Sequence, residues 1–532
     1  MLTNQLVRGG FALGKAVRGL YSEGQTDYSL EPLVLVDEAG SPLGRIRDGD
    51  AVIFCCRRGE RQIQLTEAFT APDFKHFPRP PLPNLDFAIL TLYHEKFKDL
   101  PVAFAPSHIP DTLAEVLSRA GLRQLHTAET EKFAHVTFFL NGGRGHPFDG
   151  EDDVQIPSRR EVPYEQTPEL SLPQVAARVL TGIEQGYDLI VTNFANGDVI
   201  GHTANRDAKL KCASLVDCYL GRVVDAALAH DYAVIITADH GNLEDMNKAD
   251  GTPHIAHTAN PVPFILIDQR RAAGQPPDGR LADVAPTVLA ALGVSQPASM
   301  TGTSLAPGHD WGGPRRVLLV ILDGWGIGRR DEGNPIFLAR TPVWDRLICK
   351  HPHSALQAAG TAVGLQPGKV GNSEAGHMNL GSGRVVLQDD VRLEMAMKDG
   401  SFESNEIFRR LMEKVGSQGT RLHLIALLSE KSSHGSTDYP LALLRMAKKH
   451  ALEDVCLHVI FDGRSTEPGS APAMLEKLES QMEEIGLGQI VSGVGRSIAL
   501  DRDGNYEKTR RAYEAFVLGR GRPFSVERPR PA

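Results

Sequence analysis

Short apolar runs recur along the chain, and several stop on an aspartate or an arginine. The clearest is Arg316-Val-Leu-Leu-Val-Ile-Leu, which closes on Asp323-Gly-Trp-Gly. A run so rich in Val, Ile and Leu, without polar alternation, predicts a strand buried on both faces, the habit of a parallel sheet. Tyr187-Asp-Leu-Ile-Val-Thr-Asn, Tyr232-Ala-Val-Ile-Ile-Thr-Ala and Val262-Pro-Phe-Ile-Leu-Ile predict more strands. Leu33-Val-Leu-Val and Asp50-Ala-Val-Ile-Phe precede these, and Leu422-His-Leu-Ile-Ala-Leu-Leu and Val455-Cys-Leu-His-Val-Ile-Phe come after them. Helical patterns at 112–121, 405–414, 441–450 and 471–484 fall between them, and strands alternating with helices predict an α/β fold.

The remaining stretches are less regular. Ala128-Glu-Thr-Glu-Lys-Phe-Ala-His-Val-Thr-Phe-Phe139 predicts a lead into a further strand. The Pro-rich residues 74–83 predict a loop, 102–110 a connector between domains, and the turn-rich 306–316 a linker. Residues 1–20 predict a surface helix running into Gly19-Leu-Tyr-Ser-Glu-Gly; with Arg8, Lys15 and Arg18 and no acid, they also fit an organellar transit peptide. The basic tail from Gly519 predicts a frayed end.

Size and composition narrow the class. At 532 residues the chain exceeds what one hydrophobic core usually supports, so two domains are expected. Its 57 Lys and Arg against 66 Asp and Glu leave a formal charge of -9, which argues against a nucleic-acid partner. No run of about 18 apolar residues occurs, which argues against a membrane span. Cys55, Cys56, Cys212, Cys218, Cys349 and Cys456 show neither metal spacing nor a disulfide framework, which favours a reducing compartment, the cytoplasm.

Asp198, Asp239 and Asp323 each come after a predicted strand, and the C-terminal ends of parallel strands share the edge where open α/β sheets bind ligands. His202 lies four residues after Asp198, His240 adjoins Asp239, and His257 ends Pro253-His-Ile-Ala-His. Singly, each has an ordinary reading as a cap, an exposed turn residue or a loop histidine. Jointly they predict a metal site, and mixed carboxylate and imidazole donors suit manganese, zinc or iron better than calcium. In Gly371-Asn-Ser-Glu-Ala-Gly-His377, Ser373 comes after a glycine turn and opens a helix, where free N–H groups suit a phosphoryl anion. Paired ions would make it a nucleophile, and a plain helix cap is the alternative. Lys132 by itself reads as a surface lysine. Cys55-Cys-Arg-Arg-Gly-Glu-Arg61 brings Arg57, Arg58 and Arg61 to a strand end. Such arginines can clamp carboxylate or phosphate, although spacing alone favours a solvated cluster.

Taken together, the residues resemble a family: the 2,3-bisphosphoglycerate-independent phosphoglycerate mutases of the alkaline phosphatase superfamily. The shared motifs include Ile321-Leu-Asp-Gly-Trp-Gly, Gly371-Asn-Ser-Glu-Ala-Gly-His, Ala128-Glu-Thr-Glu-Lys, Asn193-Phe-Ala-Asn-Gly-Asp, Thr237-Ala-Asp-His-Gly-Asn and Ala256-His-Thr-Ala-Asn-Pro-Val-Pro, and the resemblance extends over nearly the whole chain. Their order differs from the family's. The strand beginning near Val317 opens the family's chain, whereas here the part matching 106–305 comes first, so the chain resembles a circular permutant joined through 306–316. Such a linker reaches at most about 35–40 Å fully extended, enough for the join.

The resemblance implies an alkaline-phosphatase-like α/β core with a central, mainly parallel sheet at 106–390. It also implies a smaller α/β transferase-like domain assembled from 1–105 and 391–532. Two divalent ions are implied, manganese foremost, with magnesium, zinc or cobalt as alternatives. Asp198, His202 and His257 would hold one; Asp239, His240, Asp323 and the nucleophile Ser373 would hold the other. Lys132 would stabilise phosphoryl charge. His434, Arg58, Arg61, Arg464, Ser465, Arg496 and Arg502 would meet the substrate, a phosphoglycerate, in a monomeric glycolytic enzyme that exchanges 3- and 2-phosphoglycerate through a phosphoserine.

The chain departs from the family's pattern in three places. Ser465 stands where the family has an aspartate that moves protons, and serine is no base near neutral pH. Gly435 and Ser436 replace the family's residues just after the histidine at His434, and Cys56-Arg-Arg-Gly-Glu-Arg61 replaces Asn-Phe-Arg-Pro-Asp-Arg. A metal-dependent phosphomonoesterase is therefore the second reading, and a non-catalytic paralogue that keeps its metals the third.

Overall fold

The computed structural model describes residues 9–57, 60–105, 109–159, 162–248, 250–270, 274–430, 432 and 434–526. Its chain divides into two units, Met1–Pro106 with Arg392–Ala532, and Ser107–Val391. Each is built on an eight-stranded sheet. The α/β class expected from the alternation of strands and helices is borne out.

In the Ser107–Val391 unit the strand order is Gly279–Arg280, His353–Gln357, Val262–Ile267, Tyr232–Thr237, Arg316–Leu322, Leu189–Phe194, Gln124–Glu129 and Glu151–Ile156. Arg316–Leu322 lies between Tyr232–Thr237 and Leu189–Phe194 and runs parallel to both, with Ile321 opposite Thr237 and Asn193. Val317 to Leu322 are all buried. Helices Leu172–Gln185, Arg206–Ala229 and Val284–Leu292 pack on these three strands, which is why the run carries no polar alternation. Val262–Ile267 runs antiparallel to both of its neighbours.

The stretch from Ala128 to Phe139 corrects one expectation. The strand is Gln124–Glu129; the chain then turns helical at Thr130–Ala134 and stays helical, in wider turns, through His135–Phe139. Sheet pairing ends at Glu129 opposite Ile156. Beyond that point Val136, Thr137 and the two phenylalanines have no ladder to join, and helical bonds satisfy their backbone groups instead. The linker 306–316, although aperiodic, is fastened by side chains. His309 Nε2 lies 3.1 Å from Asp268 Oδ2, and the buried Arg315 guanidinium lies 2.7 Å from Asp231 and 3.1 Å from Asp268.

In the other unit the order is Arg522–Phe524, Leu33–Leu35, Gln489–Gly495, Val455–Phe461, Leu422–Leu428, Ala51–Cys55, Asp86–Thr91 and Val102–Phe104. The six strands from Gln489–Gly495 to Val102–Phe104 are parallel. Two more expectations change here. Val102–Phe104 is no connector but an edge strand, with Val102 opposite Ile89. The tail is not frayed from Gly519: Arg522–Phe524 pairs in parallel with Leu33–Leu35, and residues 527–532 lie outside the described residues.

Helix Gly10–Ser22 buries Leu13, Val17 and Leu20, spaced four and three apart on one face, against helix Ala471–Ile485. The Glu479 carboxylate accepts the N–H of Gly10 at 2.9 Å and that of Phe11, at the positive end of the helix. No helix among the described residues is long and apolar enough to cross a membrane.

Candidate active site

Register decides which side chains meet. With Arg316–Leu322 flanked in parallel by Leu189–Phe194 and Tyr232–Thr237, the segments after all three strands leave the same sheet edge. Asp323 comes directly after its strand, and Asp239 lies two residues beyond Thr237. Asp198 is carried on the short helix Asn196–Gly201. Ser373 begins helix Ser373–Ser382; the N-cap is Asn372, whose side chain accepts the N–H of Ala375 at 2.9 Å, so the serine hydroxyl is not consumed by capping.

Lys132, on the first turn after its strand, is buried and not the surface residue that its sequence suggests. Its Nζ lies 2.7 Å from each of Asp198 Oδ2, Asp323 Oδ1 and Ser373 Oγ. Burial opposes the ammonium charge, but Asp323, Asp198 and Asp239 overcome that and hold its pKa above the usual lysine range. Burial also opposes the charge of Asp198. Lys132 and hydrogen bonds from His202 and His257 win, so its carboxyl sits well below the ordinary range. For Asp239 the same contest is won by His240 and His377. Asp323 goes the other way: burial and the neighbouring Asp239 push it up.

The histidines present the ring nitrogen that an ion needs. His202 and His257 each place Nδ1 2.8 Å from a backbone carbonyl, of Ile255 and Gly371, and His240 Nδ1 lies 3.2 Å from the Gly241 carbonyl. A ring that donates Nδ1–H to a carbonyl turns the lone pair of Nε2 outward. His257 Nε2 is 3.1 Å, and His202 Nε2 3.3 Å, from Asp198 Oδ1. The two Nε2 atoms are themselves 3.1 Å apart, a repulsive arrangement for two lone pairs unless a cation or proton lies between them. His240 Nε2 is 2.9 Å from Ser373 Oγ and 3.4 Å from Asp239 Oδ2. Asp239 Oδ2 is buried with no hydrogen-bond partner among the described residues. Three carboxylates against one ammonium, an orphaned carboxylate oxygen and facing imidazole nitrogens fit divalent cations.

Donor atoms within 4.8 Å of one another group Asp198 with His240 and His257, and Asp239 with Asp323 and His377. His202 stands at the rim, its side chain 46% exposed. Sequence reasoning assigned nothing to His377. It lies one helical turn after Ser373, a spacing that puts both on one face, with Nδ1 2.9 Å from the Ser373 carbonyl and 3.4 Å from Asp239 Oδ2. Asn193 Nδ2, 2.6 Å from Asp323 Oδ2, and Asn242 Nδ2, 2.8 Å from Asp198 Oδ1, were also missed. Both fall inside the quoted motifs, which was the available signal.

A cationic cluster lies in the other unit. Arg61 and Arg496 are buried, and Arg464 and Arg502 exposed. Burial, then the charges of Arg496, Arg502 and Arg464, lowers the pKa of Arg61, so these guanidiniums are close enough to repel. Arg496 also pairs with Asp462. His434 N lies 3.3 Å from Ser432 Oγ, and Ser465 Oγ 3.5 Å from that same atom. Arg58 lies outside the described residues.

Fold and site together define an α/β protein with a metal-type carboxylate and histidine cluster around a serine. In agreement, the family model described as the Metalloenzyme superfamily matches residues 64–296. The model described as the BPG-independent PGAM N-terminus matches 4–95 and 393–530. A protein of Syntrophotalea carbinolica is 48% identical over 293 residues, 54% of this chain and 56% of the relative. One of Desulforudis audaxviator is 46% identical over 292 residues, 55% of this chain and 57% of the relative. Both are named 2,3-bisphosphoglycerate-independent phosphoglycerate mutase. A crystal structure of Leishmania mexicana phosphoglycerate mutase aligns at 30% identity and a TM-score of 0.40, covering 50% of this chain and 52% of that one. The chain spans about half the length of the curated relatives it matches. The resemblance read from the motifs is borne out: relatives matched over about half of their length are named 2,3-bisphosphoglycerate-independent phosphoglycerate mutase, and the model of that family's N-terminus matches as well.

Proposed function

We propose that the protein interconverts 3-phosphoglycerate and 2-phosphoglycerate through a phosphoserine at Ser373. The observation that carries the reading is the placement of Ser373 Oγ, buried at a helix start, 2.7 Å from Lys132 Nζ and 2.9 Å from His240 Nε2 among three aspartates. Asp198, His202 and His257 would hold one divalent ion, and Asp239, His240, Asp323 and Ser373 the other, manganese foremost. Bound ions would lower the pKa of the serine hydroxyl and offset charge on the transferring phosphoryl group.

In the forward half, Ser373 Oγ bonds to phosphorus as the bond to the 3-oxygen of the substrate breaks. In the return half, the 2-hydroxyl of glycerate bonds to phosphorus and Oγ leaves. Lys132 offsets phosphoryl oxygen charge in both halves. The residues read as substrate-binding are Arg58, Arg61, Arg464, Arg496, Arg502, His434 and Ser465, in the transferase-like part at 1–105 and 391–532. The metal-binding part is 106–390. We place the protein in the cytoplasm as a monomer.

The circularly permuted order belongs to this reading. Two features support it: the model for the relatives' N-terminus matches segments on both sides of the metal-binding unit, and alignments at 46–48% identity stop at about half of both chains. A second reading, phosphomonoesterase, is favoured by Ser465. Its neighbour is the hydroxyl of Ser432, and neither group takes a proton near neutral pH.

The test is to supply 3-phosphoglycerate with manganese and to measure 2-phosphoglycerate and inorganic phosphate together. Mutase action yields the first, phosphatase action the second. Ser373→Ala or a chelator should abolish both, and turnover that survives either change refutes the phosphoserine mechanism. Stoichiometric metal binding with neither product would instead establish a non-catalytic paralogue.

A further inference from the structure

Glu244 is 2% exposed, and four donors from three loops converge on its carboxylate. Oε2 accepts the N–H of Asn242 at 2.8 Å and that of Gly326 at 3.0 Å. Oε1 accepts the Asn260 amide at 2.9 Å and the Thr258 hydroxyl. Each loop carries candidate ligands: Asp239 and His240 precede Asn242, Asp323 precedes Gly326, and His257 adjoins Thr258. Two motif glycines exist to admit this side chain. A Cβ on Gly326 would stand 2.3 Å from Glu244 Cδ, and one on Gly241 would stand 2.4 Å from Oε1. The motif reading assigned Glu244 no role: it lies two residues past the motif that ends at Asn242, and its other three partners are 14, 16 and 82 residues away.

We propose that Glu244 is a positioning residue that locks the three ligand-bearing loops of the metal centre into one geometry. This inference rests on the metal-dependent reading of the site. All four of its partners are neutral donors, and only a carboxylate offers two oxygens that accept on both sides. Glu244→Gln would turn one acceptor oxygen into an NH2 facing donors, leaving at least one buried donor unpaired. The loops would then separate, and Asp239, Asp323 and His257 would no longer converge. Groups that orient ligands from behind typically contribute about 10–100-fold in metal affinity.

The experiment is calorimetric titration of the metal-free full chain with Co2+, together with the visible spectrum of the cobalt protein. Wild type, Glu244→Gln and Thr258→Val are compared; the last removes the hydroxyl that donates to Oε1, and with it the acceptor of the Asn260 N–H, and keeps side-chain shape. Expected are about 10–100-fold weaker cobalt binding and altered visible bands in Glu244→Gln, and a smaller shift in the same direction in Thr258→Val. If Glu244→Gln does not fold, Thr258→Val decides. Unchanged affinity and spectrum in the folded variants overturn the inference while leaving the metal reading intact. A wild-type protein that binds no cobalt overturns the metal reading, and the inference with it.

Discussion

Replacing Lys132 with methionine tests the electrostatics of the site. Its ammonium is buried and lies 2.7 Å from Asp198 and Asp323. Methionine keeps most of the apolar stem, so the change removes charge more than volume. Breaking a buried ion pair from one side typically costs about 3–5 kcal/mol, because the partner is left unpaired in a poorly polarisable surrounding. For a unit of this size that converts to a fall of about 6–20 °C in the Tm of metal-free protein.

Divalent ions should reverse much of that loss. Lys132 neutralises Asp198 and Asp323, carboxylates that would also hold an ion, and each ion at a hundredfold its Kd adds about 2.7 kcal/mol. The gain in Tm on adding manganese is therefore expected to be larger in Lys132→Met than in wild type. Activity should fall about 10²–10³-fold, the usual cost of losing one donor aimed at developing charge. Differential scanning calorimetry with and without manganese gives both stability terms. A metal-free Tm within about 2 °C of wild type, or an identical metal gain, would refute the claim that Lys132 balances these carboxylates.

Two further outcomes concern the other unit. Ser465→Asp should move the product ratio from inorganic phosphate toward 2-phosphoglycerate, measured from one substrate in one assay; an unchanged ratio removes Ser465 as the cause of any phosphatase action. The second involves the buried chain in which Asp50 Oδ2 lies 3.1 Å from His423, His423 lies 3.0 Å from His458, and His458 Nδ1 lies 2.7 Å from Ser492 Oγ. Burial lowers the pKa of both histidines, His458 well below the usual value of 6.5. A depressed histidine contributes its stability above the unfolded value and loses it as pH falls, so stability should decline below about pH 6.5 by up to about 1.4 kcal/mol per pH unit for each histidine. His458→Gln should flatten that slope in urea unfolding monitored from pH 7.5 to 5, and an equally steep slope would contradict the assignment.

The strands around the site were legible because a parallel strand sealed on both faces cannot alternate polar and apolar residues. Val317 to Leu322 show this most clearly, as all are buried. The chemistry was legible where residues cluster locally: Asp239 with His240, Asp198 one turn before His202, Ser373 after its glycine turn. Where a neighbour ends a ladder, as Ile156 does for Glu129, propensity misled, and Val136 to Phe139 became helix. Val102–Phe104 was misjudged for the converse reason, since an edge strand is made by its partner Asp86–Thr91.

By itself, then, the sequence determined which residue types stand at strand ends and that their motifs resemble a phosphoryl-transfer family. Only tertiary structure decided that Lys132 is a buried counter-charge, because Asp198 and Asp323 lie 66 and 191 residues from it along the chain. It alone placed Asn193 against Asp323, 130 residues away, and the N–H of Gly326 against Glu244, 82 residues away. Sheet register sets these distances, and register depends on every strand at once.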